Sequence, residues 1–97
     1  MRRVIVRPEA RADILAAYRW YEKERNGLGT AFLQAIRSTM DTVGENPEVY
    51  AVVRGDIRRV NLHRFPYALF YRFRAELIIV IACMHGSRDP KRWESRM

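Results

Sequence analysis

The sequence predicts an α+β fold: an N-terminal strand, then an antiparallel helical hairpin packed on a mainly antiparallel sheet of about four strands. Three observations carry this prediction. Two apolar stripes of helical period lie between residues 10 and 43, a short glycine-bearing turn separates them, and three strand-like runs follow in the second half. At 97 residues, with 48% hydrophobic content and 30% charge, the chain reads as a single domain over residues 1–97 that can build a core. A domain this small buries only somewhat more than about 60% of its unfolded surface. A partner that binds the native state therefore adds appreciably to its stability.

The first strand is the β-branched run Val4 to Val6, and Arg7-Pro8-Glu9 turns it into a helix. Proline suits the first helical position, and Glu9 and Asp13 suit the positive end of the helix dipole. Ala10, Ile14, Ala17, Tyr18 and Tyr21 form the apolar stripe, which Asn26-Gly27 stops. After the turn at Gly27 to Gly29, Leu28, Phe32, Ile36, Met40 and Val43 form a second stripe ending at Gly44, with Pro47 just beyond. So short a connection makes the two helices antiparallel. The strands are expected at about Ile57 to His63, Tyr67 to Phe73 and Leu77 to Met84, the last two joined as a hairpin by Arg74-Ala75-Glu76. Leu77 to Met84 is apolar on both faces, which places it centrally in the sheet. The strand before it puts Tyr67, Leu69, Tyr71 and Phe73 on one face and Ala68, Phe70, Arg72 and Arg74 on the other. The polar, turn-rich stretch from His85 to Trp93 is expected to leave the sheet as a functional loop.

Charge narrows the partners. The net +7 is uneven: residues 1–48 carry eight basic and seven acidic side chains, a net of +1, whereas residues 49–97 carry ten and four, a net of +6. Sixteen of the eighteen basic residues are arginine, whose planar fork grips phosphate or carboxylate through two parallel hydrogen bonds. Polyanionic or acidic partners are therefore expected. Cys83 is the single cysteine, so no disulfide framework and no C-x-x-C zinc pair exists, and a reducing, cytoplasmic setting is expected. The apolar stretch near the N-terminus is too short for a signal-peptide core, and the run Leu77 to Met84 is less than half the roughly 20 residues of a membrane span.

No G-x-S-x-G, H-E-x-x-H, Walker loop or G-x-G-x-x-G is present. No cofactor or metal is expected, since His63 and His85 lack carboxylates at ligand spacing. The more informative set is Arg58, Arg59, Arg64 and His63 on one strand, Arg72 and Arg74 on the next, and His85, Arg88, Lys91 and Arg92 after the last. If the strands are neighbours, several of these converge near one end of the sheet as a polyanion site, with Arg58, Arg72, His85 and Arg88 at its centre. An RNA-cleaving site asks for arginines on the in-line phosphate plus a base and an acid, roles open to His85, Glu48 or Tyr71.

Four segments carry a family resemblance: V-I-V-R-P-E-A-R-A-D-I from Val4, G-D-I-R-R-V from Gly55, F-P-Y-A-L-F-Y-R-F from Phe65 and A-C-M-H-G-S-R-D-P-K-R-W from Ala82. With the order strand, helical hairpin, three strands, the chain resembles the RelE/ParE superfamily of toxins from type II toxin-antitoxin systems over essentially its whole length. Arg7 departs from the pattern, because the family usually has a serine or threonine there to cap the first helix. The resemblance implies a plasmid-stabilisation type of toxin, held harmless in a hetero-oligomer by a cognate acidic antitoxin whose C-terminal segment wraps it. Tyr18, Arg59, Tyr71, Arg74 and Trp93 are the expected antitoxin contacts. RelE-like members cleave messenger RNA on the ribosome, whereas ParE-like members poison DNA gyrase. The H-G-x-R-D-P-x-x-W ending, the F-P-Y-A-x-F-Y strand and the lack of a lysine-rich loop or a late tyrosine place this chain with the ParE-like group. A ribosome-dependent endoribonuclease is the alternative, and a non-toxic nucleic-acid-binding domain the third reading.

Overall fold

A computed structural model describes residues 2–87 and 90–97. The chain runs β1 (Arg3–Val6), α1 (Pro8–Glu24), α2 (Leu28–Glu45), a single 3-10 turn (Pro47–Val49), β2 (Val52–Arg54), β3 (Ile57–Asn61), β4 (Tyr67–Arg74), β5 (Leu77–His85) and α3 (Lys91–Glu94). The five strands form one sheet in the order β1-β5-β4-β3-β2. β1 pairs with β5 in parallel, and every other pairing is antiparallel. The sheet is therefore one strand wider than predicted. The extra strand, β2, is a three-residue exposed edge joined to β3 through the two-residue turn Gly55-Asp56, where Gly55 takes a positive φ of 56°.

α1 begins at Pro8, and its N-cap, Arg7, makes no side-chain capping bond, as the departure at that position implied. The N-terminus of α2 is capped from α1 instead. The Glu22 carboxylate accepts the amides of Gly27 at 3.0 Å and Gly29 at 3.0 Å, which places a negative charge on the positive end of the α2 dipole. Gly29 lies inside α2 rather than in the turn. A Cβ there would sit 2.8 Å from the Tyr18 ring and from the Tyr18 carbonyl, so glycine lets the two helices close on one another. At the other end of α2, Arg2 donates to the Gly44 carbonyl at 3.0 Å, supplying the cation that the last turn lacks.

The sheet has a core on each face. The helix-side core joins Ala10, Ala17, Tyr21, Phe32, Ile36 and Val43 to Leu69, Tyr71, Ile78, Val80 and Cys83. Tyr21, Phe32, Phe65 and Tyr67 form a cluster of tilted and edge-to-face rings with centroids 5.0 to 6.1 Å apart. The opposite core is smaller and consists of Ile57, Ala68, Phe70, Ile81, Ala82, Met84 and Trp93. In β5 the register with β4 steps from Phe70↔Ala82 to Tyr71↔Val80, leaving Ile81 as the extra residue of a bulge. The bulge puts Ile81 and Ala82 on the same face and returns Cys83 to the helices.

Candidate functional site

The structure does not gather Arg58, Arg72 and His85 at one place. Arg58 leaves β3 on the helix side, where its guanidinium donates to the carbonyls of Glu48 at 2.9 Å and Tyr50 at 2.7 Å and lies over the Phe73 ring. It ties the segment after α2 to the sheet. Tyr71 does the same from β4, its hydroxyl donating to the Pro47 carbonyl at 2.6 Å. Burial pushes the Tyr71 phenol up to about 12, although the nearby Arg58 cation favours its ionised form.

His85 lies on the same face at the far end. Its ring packs edge-on to Tyr67, and its Nδ1 accepts the Ser87 amide at 3.1 Å and lies 2.8 Å from the Ser87 hydroxyl. Arg58 pairs with Tyr71 and His85 with Tyr67. Four residues of strand separate those partners, roughly 13 Å at the usual rise. Arg72 projects from the other face, beside Arg74, and the two approach Asp56 at 3.7 Å and 3.6 Å. Strand alternation and the two different ends of the sheet thus disperse the set. Arg88 lies outside the described residues.

The expected antitoxin contacts divide in the same way. Tyr71 and Trp93 are core residues of the folded chain. Trp93 stacks on Phe70 with centroids 4.8 Å apart, so the end of the segment read as a departing loop packs as α3 on the face opposite the two long helices. Tyr18 is half-buried against Gly29. Arg59 lies over Phe70 and donates to Asn61 Oδ1 at 3.1 Å, and Arg74 is exposed at the sheet rim.

A feature the sequence reading missed lies where β5 outruns β1. β1 covers β5 only as far as Val80, after which the Arg7 amide donates to the Val80 carbonyl and the chain turns into α1. On the uncovered edge, Asp13 Oδ2 accepts the Cys83 amide at 3.0 Å, and Arg96 Nη1 donates to the Ile81 carbonyl at 3.2 Å. Asp13 and Arg96 also pair through two contacts, at 2.5 Å and 3.2 Å. This clasp substitutes a side-chain acceptor and donor for the missing strand. The bond to Asp13 raises the Arg96 pKa, and burial pushes the Cys83 thiol up to about 12, which removes its nucleophilic character. The sequence does hold a signal for the clasp, since Asp13 stands three residues after Ala10 and four before Ala17, a carboxylate inside an apolar stripe.

Beside the clasp a groove of about 640 Å³ runs between α1 and the end of β5, lined among others by Ala16, Trp20, Tyr67, Cys83, His85 and Arg92. Among the described residues no three His, Cys, Asp or Glu side chains gather as a metal site, and no helix is long and apolar enough to cross a membrane.

Residues 4–90 match the model of the ParE toxin of the type II toxin-antitoxin system parDE. The chain belongs to the ParE toxin family. Among solved structures, a chain of the chromosomal ParDE TA system from P. aeruginosa superposes with a TM-score of 0.64 at 19% identity, covering 88% of this chain and 96% of that one. At that identity the likeness concerns the fold. A comparison with curated proteins found no match. The ParE match ends at residue 90, so the Trp93 stack and the Arg96 half of the clasp lie beyond the segment matched to the family model.

Proposed function

We propose that the chain is the toxin of a two-gene module, neutralised in the cytoplasm by a cognate acidic antitoxin, and that the freed toxin arrests growth by inhibiting DNA gyrase. The observation that carries this reading is the ParE match across residues 4–90. The net charge of +7 supports an acidic partner.

The geometry favours inhibition over RNA cleavage. In-line cleavage needs cations and a proton-transfer pair around one phosphate. Here Arg58 is committed to two main-chain carbonyls, Tyr71 is buried and donates to a third, and His85 sits at the opposite end of the sheet. A surface that binds a protein target needs no such convergence.

The test is regulated expression with and without the adjoining acidic open reading frame, reading DNA supercoiling and messenger RNA integrity in parallel. Growth arrest with altered supercoiling, broken DNA and intact messages is expected, relieved by the antitoxin. Cleaved messages with normal supercoiling would reverse the reading in favour of a RelE-like nuclease.

A further inference from the structure

Six arginines stand on the strands of the sheet, and they divide by what holds their guanidinium groups. Arg54 pairs with Glu94 at 2.7 Å, Arg58 donates to two main-chain carbonyls, and Arg59 donates to Asn61. Arg3, Arg72 and Arg74 make no side-chain hydrogen bond among the described residues, and the buried Nε of Arg72 is without a partner. Among those residues Asp56 alone forms ion pairs with any of the three, half-exposed and beyond hydrogen-bond reach of Arg72 and Arg74. Such a contact is worth little and yields to an acceptor that offers a guanidinium two oxygens at once.

The register brings the three together. Arg3 pairs with Leu77 and Leu77 with Arg74, while Ile5 pairs with Ile79 and Ile79 with Arg72. Paired residues share a face, so two rows cross β1, β5 and β4 on the side away from α1 and α2, where Ile79 packs on the smaller core. Arg72 and Arg74 are about 7 Å apart along their strand, and Arg3 is about 10 Å from Arg74 across two strand spacings. The first separation is close to that of successive phosphates on one nucleic-acid strand. Neither row holds an aromatic ring to stack an unpaired base or an amide side chain to read a base edge. The chemistry is that of backbone contact with a duplex. Asp56 and Glu76, exposed in the turns beside the rows, confine that contact to a narrow track.

We propose that Arg3, Arg72 and Arg74 form a site for the phosphate backbone of duplex DNA, bound without regard to base sequence. The choice of DNA over RNA rests on the gyrase reading above. An inhibitor that also grips the DNA held by its target makes the second of the two contacts intramolecular, which strengthens the whole.

The test uses the full chain and a short DNA duplex, followed by fluorescence anisotropy over a range of salt concentrations. Arg3→Gln/Arg74→Gln, both at exposed positions, should weaken binding by about tenfold or more and flatten the dependence of log affinity on log salt by about two. Arg11→Gln/Arg19→Gln on α1 removes the same charge and should weaken binding by about twofold or less. In the wild-type chain, NMR titration with the duplex should shift the amides of Arg3, Arg74 and Leu77 and leave those of Arg11 and Arg19 in place. Equal losses in the two folded variants overturn the proposal, and unshifted amides at Arg3, Arg74 and Leu77 overturn it even if a variant fails to fold. Tighter binding to an RNA duplex of the same sequence overturns it as well. A gyrase assay in parallel separates the two readings: inhibition by a chain that binds no DNA overturns only this site, whereas DNA binding through these arginines without inhibition overturns only the gyrase reading.

Discussion

The two faces of the sheet are built on different terms. On one face two long helices bury a continuous core, with Phe32 in ring contact with Tyr21, Phe65 and Tyr67. On the other, a four-residue helix holds a smaller core through one indole stacked on Phe70, while Arg59, Arg72 and Arg74 occupy the remaining surface. The helix face therefore sets the stability of the fold. The other face carries the smaller core, with Arg74 exposed at its rim.

Substitutions on each face test this contrast. Phe32→Ala should cost about 3–5 kcal/mol and leave little folded protein, since the ring is fully buried. Chemical denaturation checks it; a cost near that of Trp93→Ala would erase the difference between the faces. Trp93→Ala should cost less, about 2–3 kcal/mol, because α3 can undock while the sheet and hairpin persist. Loss of the near-ultraviolet tryptophan signal with retained far-ultraviolet signal is the expected signature.

Tyr71→Phe is a smaller probe of the helix face. It leaves the buried Pro47 carbonyl without its donor, at about 1–2 kcal/mol near neutral pH. It should also blunt alkaline unfolding. The folded phenol is raised from 10.0 to about 12, so its contribution is complete below pH 10 and is lost as pH rises toward 12. Cys83, raised from 9.0 to about 12, acts in the same direction, so the variant should retain part of the slope. A pH titration of stability above 9 that is identical in wild type and variant would contradict the assignment. The smallest effect is expected from Asp56→Asn. Its contacts to Arg72 and Arg74 are long and Asp56 is half-exposed, so stability should change by less than about 0.5 kcal/mol.

Much of the fold was legible because it rests on periodicity. The stripes of α1 and α2 and the alternation in β4 repeat often enough to show which side is buried, and the hairpin at Ala75-Glu76 falls where Arg74 and Glu76 interrupt two apolar runs. β2 was not legible. Three residues are too few for a period, and its valines are exposed and paired through an irregular register. α3 was missed for a related reason: its one apolar anchor, Trp93, finds its place only because Phe70 lies on the face opposite the two long helices. The arginine set misled because a sequence assigns residues to strands without saying which end or face they share. Arg58 and His85 pair with β4 residues four apart, and Arg72 projects from the opposite face. The clasp was half visible, in the carboxylate of Asp13 on an apolar stripe, but its partner comes from the last turn of the chain.

The proposed action of this ParE-family chain is on gyrase rather than on RNA. The most direct measurement is supercoiling by purified gyrase as the purified toxin is titrated in, with and without the antitoxin. Dose-dependent loss of supercoiling that the antitoxin restores is the expected result. Full supercoiling at saturating toxin, from a preparation that still arrests growth on expression, would contradict it.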